Sequence, residues 1–248
     1  MHRFFVAPEQ INGRQFSITG GDVHHIGRVL RLVPGDRIAI VTGEGRTFTG
    51  ELTAVREDKV TGSLQEELLI RAEPSVRVTV YQGLPKGDKM DLIIQKCTEI
   101  GVTRIVPVAT ERAVVKIRPE KAGARVVRWQ KIAAAAAQQS GRTIIPAVDD
   151  VFTFQAAVGE ADRYDLSILP WETARENSLK QILRKAGPVR SLAVFIGPEG
   201  GFAREEATAA AAGGFVPVTL GPRLLRTETA AIITAALALY ELDDLGGL

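Results

Sequence analysis

The chain has 248 residues, 45% hydrophobic and 24% charged, a globular balance with length for one large domain or two smaller ones. It has no run of eighteen apolar residues, which excludes an ordinary membrane-spanning helix, and the opening Met1-His-Arg-Phe-Phe-Val-Ala-Pro is too short and too early charged for a secretion signal. A single cysteine, Cys97, excludes an internal disulfide, and three scattered histidines give no zinc-ligand spacing, so no metal is expected and a reducing cytoplasm is the expected home.

Net charge is +2 but unevenly spread. Residues 1–72 are balanced, residues 73–150 carry thirteen cations against eight anions, and residues 151–248 carry nine against twelve. Between Arg104 and Arg142 stand nine cations (Arg104, Arg112, Lys116, Arg118, Lys121, Arg125, Arg128, Lys131, Arg142) against Glu111 and Glu120. Such a stripe fits a polyanion footprint or a solvated helix face, and composition leaves both open.

In chain order, Ile26, Val29 and Leu30 have the spacing of a short helix over residues 23–32. Residues 36–41, 46–55 and 59–62 alternate as strands, separated by Thr42-Gly43-Glu44-Gly45 and Glu57-Asp58, which predicts a small antiparallel barrel. The texture changes at Arg71-Ala-Glu-Pro74, where Pro74 restricts its neighbour and breaks regular structure. Beyond it, strands at 76–82, 104–109, 166–169, 192–196 and 216–220 alternate with helices at 88–100, 119–139, 178–184, 204–212 and 227–240. That alternation predicts an α/β domain with a mainly parallel sheet covered on both faces. The helix at 88–100 is amphipathic and closes on Gly101, a C-cap; Lys96 and Glu99 read as a surface pair, and Cys97 reads as core.

Two segments carry the chemistry. Leu192-Ala-Val-Phe-Ile-Gly-Pro-Glu-Gly-Gly-Phe202 and Val218-Thr-Leu-Gly-Pro-Arg-Leu-Leu-Arg-Thr-Glu-Thr-Ala230 are each an apolar strand, a glycine- and proline-bearing turn and a helix start. Side-chain-free turns at strand ends expose backbone N–H and C=O groups, and two in tandem suggest one cleft that grips a small molecule by backbone. Neither GxxxxGK[ST] nor GxGxxG occurs, which disfavours nucleoside triphosphates and Rossmann dinucleotides. Glu199 suits a ribose hydroxyl or an amine, although its turn is equally a tight strand–helix connection. Glu228 fits a helix N-terminus for electrostatic reasons alone, whereas Arg226, just outside that helix, has no such structural reason and suits an anionic or carbonyl-rich substrate.

These motifs, with His24-His25-x-x-x-Val29-Leu30-Arg31, Asp88-Lys-Met-Asp91, Lys96-x-Thr98-Glu99-x-Gly101 and Gln139-Ser140-Gly141-Arg142, closely resemble the RsmE family. Its members are 16S ribosomal RNA (uracil-N3)-methyltransferases of the SPOUT superfamily. The resemblance runs from Arg3-Phe4-Phe5 to the last helix. It implies a PUA-like RNA-binding β-barrel over residues 1–72 and a SPOUT α/β methyltransferase domain over 73–248 with a C-terminal trefoil knot. It further implies a homodimer, S-adenosyl-L-methionine as cofactor, and as substrate one uridine of 16S rRNA (conventional position 1498) in the assembled small subunit.

By motif match the cofactor contacts are Leu169, Pro170, Ile196, Gly197, Pro198, Glu199, Gly200, Gly201, Leu220, Gly221, Leu225, Arg226, Glu228, Thr229 and Ala230. The expected catalytic residues are Arg226, with Glu228 or Glu199 accepting the N3 proton or orienting Arg226. The expected RNA contacts are His25, Arg28, Arg31, Arg112, Lys116, Arg118 and Arg142. One departure is Ala203, where relatives often carry Ser or Thr; an Ala supplies no N-cap oxygen, a cost of roughly 1 kcal/mol.

Overall fold

The computed structural model describes residues 1–115, 119–242 and 245. The chain divides into two compact units, Met1–Glu73 with Ala137–Ile145, and Pro74–Ala136 with Pro146–Leu248.

The first unit carries strands β1 (Arg3–Phe5), β2 (Ile11–Asn12), β3 (Gln15–Thr19), β4 (Arg37–Val41), β5 (Thr47–Val55) and β6 (Lys59–Leu68). They form one sheet in the order β1-β4-β5-β6-β3-β2. Only the β1–β4 pair is parallel, so the half-barrel is mixed where the strand pattern predicts an antiparallel one. Alternate residues Phe16, Ile18, Ile38, Ile40, Leu52 and Val60 fill its core. The predicted helix at 23–32 is one turn of α-helix, α1 (Gly21–His24), running into a wider π-type turn at His25–Val29. Residues 137–145 join this unit through Glu73. Its Oε2 accepts from Arg142 Nη2 at 2.6 Å, and its Oε1 accepts from the backbone N–H of Thr143 at 2.6 Å and of Ile144 at 3.0 Å.

The second unit carries β7 (Arg77–Gly83), α2 (Lys89–Ile100), β8 (Arg104–Ala109), most of α3 (Pro119–Ser140), β9 (Ala147–Val148), β10 (Phe152–Thr153) and α4 (Phe154–Val158). There follow β11 (Leu166–Pro170), α5 (Leu179–Lys185), β12 (Ser191–Ile196), α6 (Arg204–Ala212), β13 (Val216–Val218) and α7 (Thr227–Glu241). The strands run β10-β8-β7-β12-β11-β13, with β9 on β8, and every pair is parallel. Strand β12 is buried along its whole length, which explains its unbroken apolar run. Its Ala193 and Phe195 face a cluster with Phe154, Phe202, Ala207, Ala210 and Phe215. Leu192, Val194 and Ile196 therefore take the opposite face, and α7 packs against β12 and its neighbour β7. The helix-closing Gly101 has φ +125°, and a Cβ there would meet Pro74 Cγ at 2.5 Å, so only glycine fits. Cys97 is fully buried, and burial pushes its thiol up to about 12.

Candidate active site

In an all-parallel sheet every carboxyl end lies along one edge, and the loops leaving that edge form the natural crevice. Here three such loops, after β11, β12 and β13, enclose a cavity of about 1080 Å³. The loop after β11 contributes Pro170, Trp171, Glu172 and Arg175; the turn after β12 contributes Ile196, Gly197, Pro198, Glu199 and Gly201. The loop after β13 contributes Leu220, Gly221, Arg223, Leu224, Leu225 and Arg226, and α7 adds Thr227 and Ala230. Two apolar side chains on that last loop stay open to solvent, Leu224 at 84% and Leu225 at 36% exposure. Gly221 has φ +110° with open space where a Cβ would stand, so backbone conformation alone demands glycine there.

Buried polar side chains tie the loops together. Thr227 Oγ1 donates to the Gly197 carbonyl at 2.6 Å and accepts from Gln82 Nε2 at 2.9 Å. Gln82 is fully buried at the end of β7, so the turn after β12 and the start of α7 are pinned to the central strand. Arg226 takes the N-cap position of α7 with extended backbone (φ −66°, ψ 152°) and makes no side-chain cap, leaving its guanidinium exposed at the cavity.

The two carboxylates that sequence pairs with Arg226 meet a different cation. Lys89 Nζ lies 2.9 Å from Glu199 Oε1 and 3.5 Å from Glu228 Oε2. Burial raises the Glu199 carboxyl, but Lys89 and the Lys86 N–H at 2.9 Å outweigh it and hold Glu199 below the usual carboxylate range. Lys89 therefore belongs to the site; its motif is visible in the sequence, but nothing local says that it meets Glu199 and Glu228.

Of the fifteen expected cofactor residues, eleven line the cavity: Pro170, Ile196, Gly197, Pro198, Glu199, Gly201, Leu220, Gly221, Leu225, Arg226 and Ala230. Leu169 lies beneath it, fully buried with the aromatic cluster. Gly200 turns its carbonyl to Arg112 Nη1 at 3.2 Å. Glu228 and Thr229 do not line the cavity and lie on the first turn of α7. Trp171, Glu172 and Arg175 also line it and carry no motif that marks them, and Arg223 and Thr227 line it from within the second glycine-turn segment.

The cationic stripe does not persist as one face. Arg142 is a correction: it is 2% exposed and holds Glu73, so it is a buried structural cation rather than an RNA contact. Arg104 bonds Asp149 at 2.5 Å and Glu160 at 2.7 Å, beside Tyr81, and Arg128 pairs with Asp91. Lys121, Arg125 and Lys131 stay exposed on α3, as does Arg112 beyond β8. Lys116 and Arg118 lie outside the described residues. In the first unit His25, Arg28 and Arg31 are all exposed; Arg28 pairs with Glu57 at 3.0 Å. Arg31 is the one non-glycine residue with positive φ, +54°, among the described residues.

A parallel sheet with a loop-built cavity at its carboxyl edge, preceded by a small β-unit bearing exposed cations, suits an RNA methyltransferase. The family model of an RNA methyltransferase domain matches residues 72–239, and that of an RNA methyltransferase PUA domain matches residues 18–65. The chain belongs to the ribosomal RNA small subunit methyltransferase E family, the RsmE family of the SPOUT methyltransferases. It is 36% identical to that enzyme of Bacillus subtilis over 100% of this chain and 99% of the relative, and 34% identical to that of Synechocystis over 95% and 76%. It is also similar to the crystal structure of that enzyme from Neisseria gonorrhoeae bound to S-adenosyl methionine, with TM-score 0.87, 32% identity and 97% of each chain covered.

Proposed function

We propose that this chain transfers a methyl group from S-adenosylmethionine to N3 of one uridine of 16S rRNA, conventional position 1498, in the assembled small subunit, in the cytoplasm. The observation that carries the reading is the cavity at the ends of β11, β12 and β13 with Arg226 at its mouth, in a chain of this family. The donor set fits the cofactor: glycine turns offer backbone groups, Ile196, Leu220 and Leu225 offer an apolar wall, and Glu172 and Glu199 offer anionic edges to a sulfonium cation. Pro170, the 196–201 turn, Leu220, Gly221, Leu225 and Ala230 would hold it. Bound there, it supplies the methyl group.

The protein supplies alignment and charge. Uracil N3 is a poor nucleophile until its proton leaves. Arg226 stabilises the resulting anion through a ring carbonyl, as an oxyanion donor does. Glu199 is held anionic by Lys89 and the Lys86 N–H. The N3 proton passes to Glu199, which lines the cavity, or to Glu228, joined to it through Lys89.

The RNA is held by phosphate contacts from His25, Arg28, Arg31 and Arg112, with the exposed cations of α3. The protein acts as a homodimer: Ile233, Leu237 and Tyr240 recur on one face of α7 with 39%, 47% and 62% exposure. The trefoil knot implied by the resemblance is supported by the chain path. After β13 at the sheet edge, the chain returns to set α7 beside α2 and β7.

The test is tritium transfer from labelled S-adenosylmethionine to small subunits from cells lacking this gene, followed by nucleoside separation. Label in 3-methyluridine is the expected result. Label in another base or a ribose 2′-hydroxyl overturns the substrate, and absence of both label and cofactor binding favours a non-catalytic RNA-binding factor.

A further inference from the structure

In the steps above Lys89, of the Asp88-Lys89-Met90-Asp91 motif, only holds Glu199 anionic. Lys89 opens α2, where a cation opposes the helix dipole, so helix stability does not account for it. Its ammonium joins three elements far apart in sequence: α2, the turn after β12 through Glu199 at 2.9 Å, and the first turn of α7 through Glu228 at 3.5 Å. The hydrogen bond with Glu199 holds Lys89 above the ordinary lysine range. Nearby charges are engaged elsewhere: Asp91 with Arg128, and Arg112 on the Gly200 carbonyl. Asp88 at the N-cap of α2 makes no side-chain cap, and Lys86 contributes its backbone N–H to Glu199. Arg226 lines the same cavity, and among the described residues neither carboxylate pairs with it.

We propose that Lys89 is a positioning residue for methyl transfer: by holding Glu199 and Glu228 it keeps both carboxylates off Arg226, whose charge is then free for the base. The inference rests on the methyl-transfer reading and on the role given there to Arg226. Without Lys89, two like charges share the wall; one of them then takes a proton or captures Arg226.

The test compares full-length Lys89→Met and Lys89→Arg with the unaltered protein. Methyl transfer to small subunits, melting temperature, and carboxylate ¹³C shifts of Glu199 and Glu228 in cofactor-free protein are measured. Lys89→Met is expected to lower kcat roughly tenfold or more, with KM for subunits little changed. The Glu199 carboxylate then titrates at higher pH, and Lys89→Arg restores most of the rate. Unaltered kcat in Lys89→Met overturns the proposal and leaves the function standing. A rate loss that tracks the melting temperature, with no carboxylate shift and no rescue by arginine, also overturns it. If the unaltered protein transfers no methyl group to rRNA, the functional reading itself fails, and the proposal with it.

Discussion

Among the described residues no carboxylate pairs with Arg226 at the cavity, and an unpaired guanidinium is what its chemistry needs. Arg226→Ala is expected to lower kcat by on the order of 10²–10³, as loss of one oxyanion donor does, while cofactor affinity by calorimetry stays nearly constant. Loss of affinity with kcat preserved would make Arg226 a binding residue. Ala203 begins α6 without a side-chain cap, yet Glu206 Oε2 accepts from the Ala203 N–H at 3.0 Å, which supplies half of a capping box. Ala203→Ser adds the missing half and is expected to stabilise the fold by about 1 kcal/mol in denaturant melts.

Glu160 and Glu199 are two of the carboxylates that contribute to the acid limit. In Glu160 and Glu199 burial raises the carboxyl, but Arg104 on the first and Lys89 on the second lower it further, so both end below the ordinary value. The native state thus binds fewer protons than the unfolded chain in the acid range, and stability rises with pH there. Their contribution is complete above the ordinary carboxylate pKa and is lost as pH falls through the depressed values. Urea midpoints from pH 7 to pH 3 should fall, and less so in Glu160→Gln.

At the scale of elements, the latch of Gln82, Thr227 and the Gly197 carbonyl joins β7, α7 and the turn after β12. Thr227→Val keeps the shape but leaves the Gly197 carbonyl only its 3.4 Å contact with Gln82 Nε2, a cost of about 1 kcal/mol, and is expected to weaken cofactor binding as the turn loosens. Thermal melts and calorimetry on the same sample check both. The long elements are legible in sequence because their periodicity runs for many residues: the helix read at 88–100 is α2 at Lys89–Ile100, and the one read at 227–240 is α7 at Thr227–Glu241. The two- and three-residue strands β1, β2, β9 and β10 are not, since so short a segment shows no period. The helix read at 23–32 ends early because its last turn widens and Arg31 enters the left-handed region.

For the whole molecule, phosphate contacts by exposed cations predict that subunit binding weakens steeply as salt rises, with a log–log slope near −0.7 to −0.9 per phosphate contact. A filter-binding series that is flat in salt would remove that part of the reading. Arg142, by contrast, belongs to stability: Arg142→Leu leaves the part-buried Glu73 to Thr143 and Ile144 alone and is expected to cost about 1–3 kcal/mol.

The sequence by itself determined the α/β class, the two glycine turns and the apolar strands behind them, because each is a local pattern of period, turn chemistry and burial. It also marked Arg226, which no helix rule explains. Tertiary structure alone decided the partners of the charges. Glu73 lies 69 positions from Arg142, and Lys89 lies more than a hundred from both Glu199 and Glu228. Charge is legible from composition; its neutralisation depends on which chain segments the fold brings within a few ångströms, because Coulomb energy depends on distance in space and not along the chain.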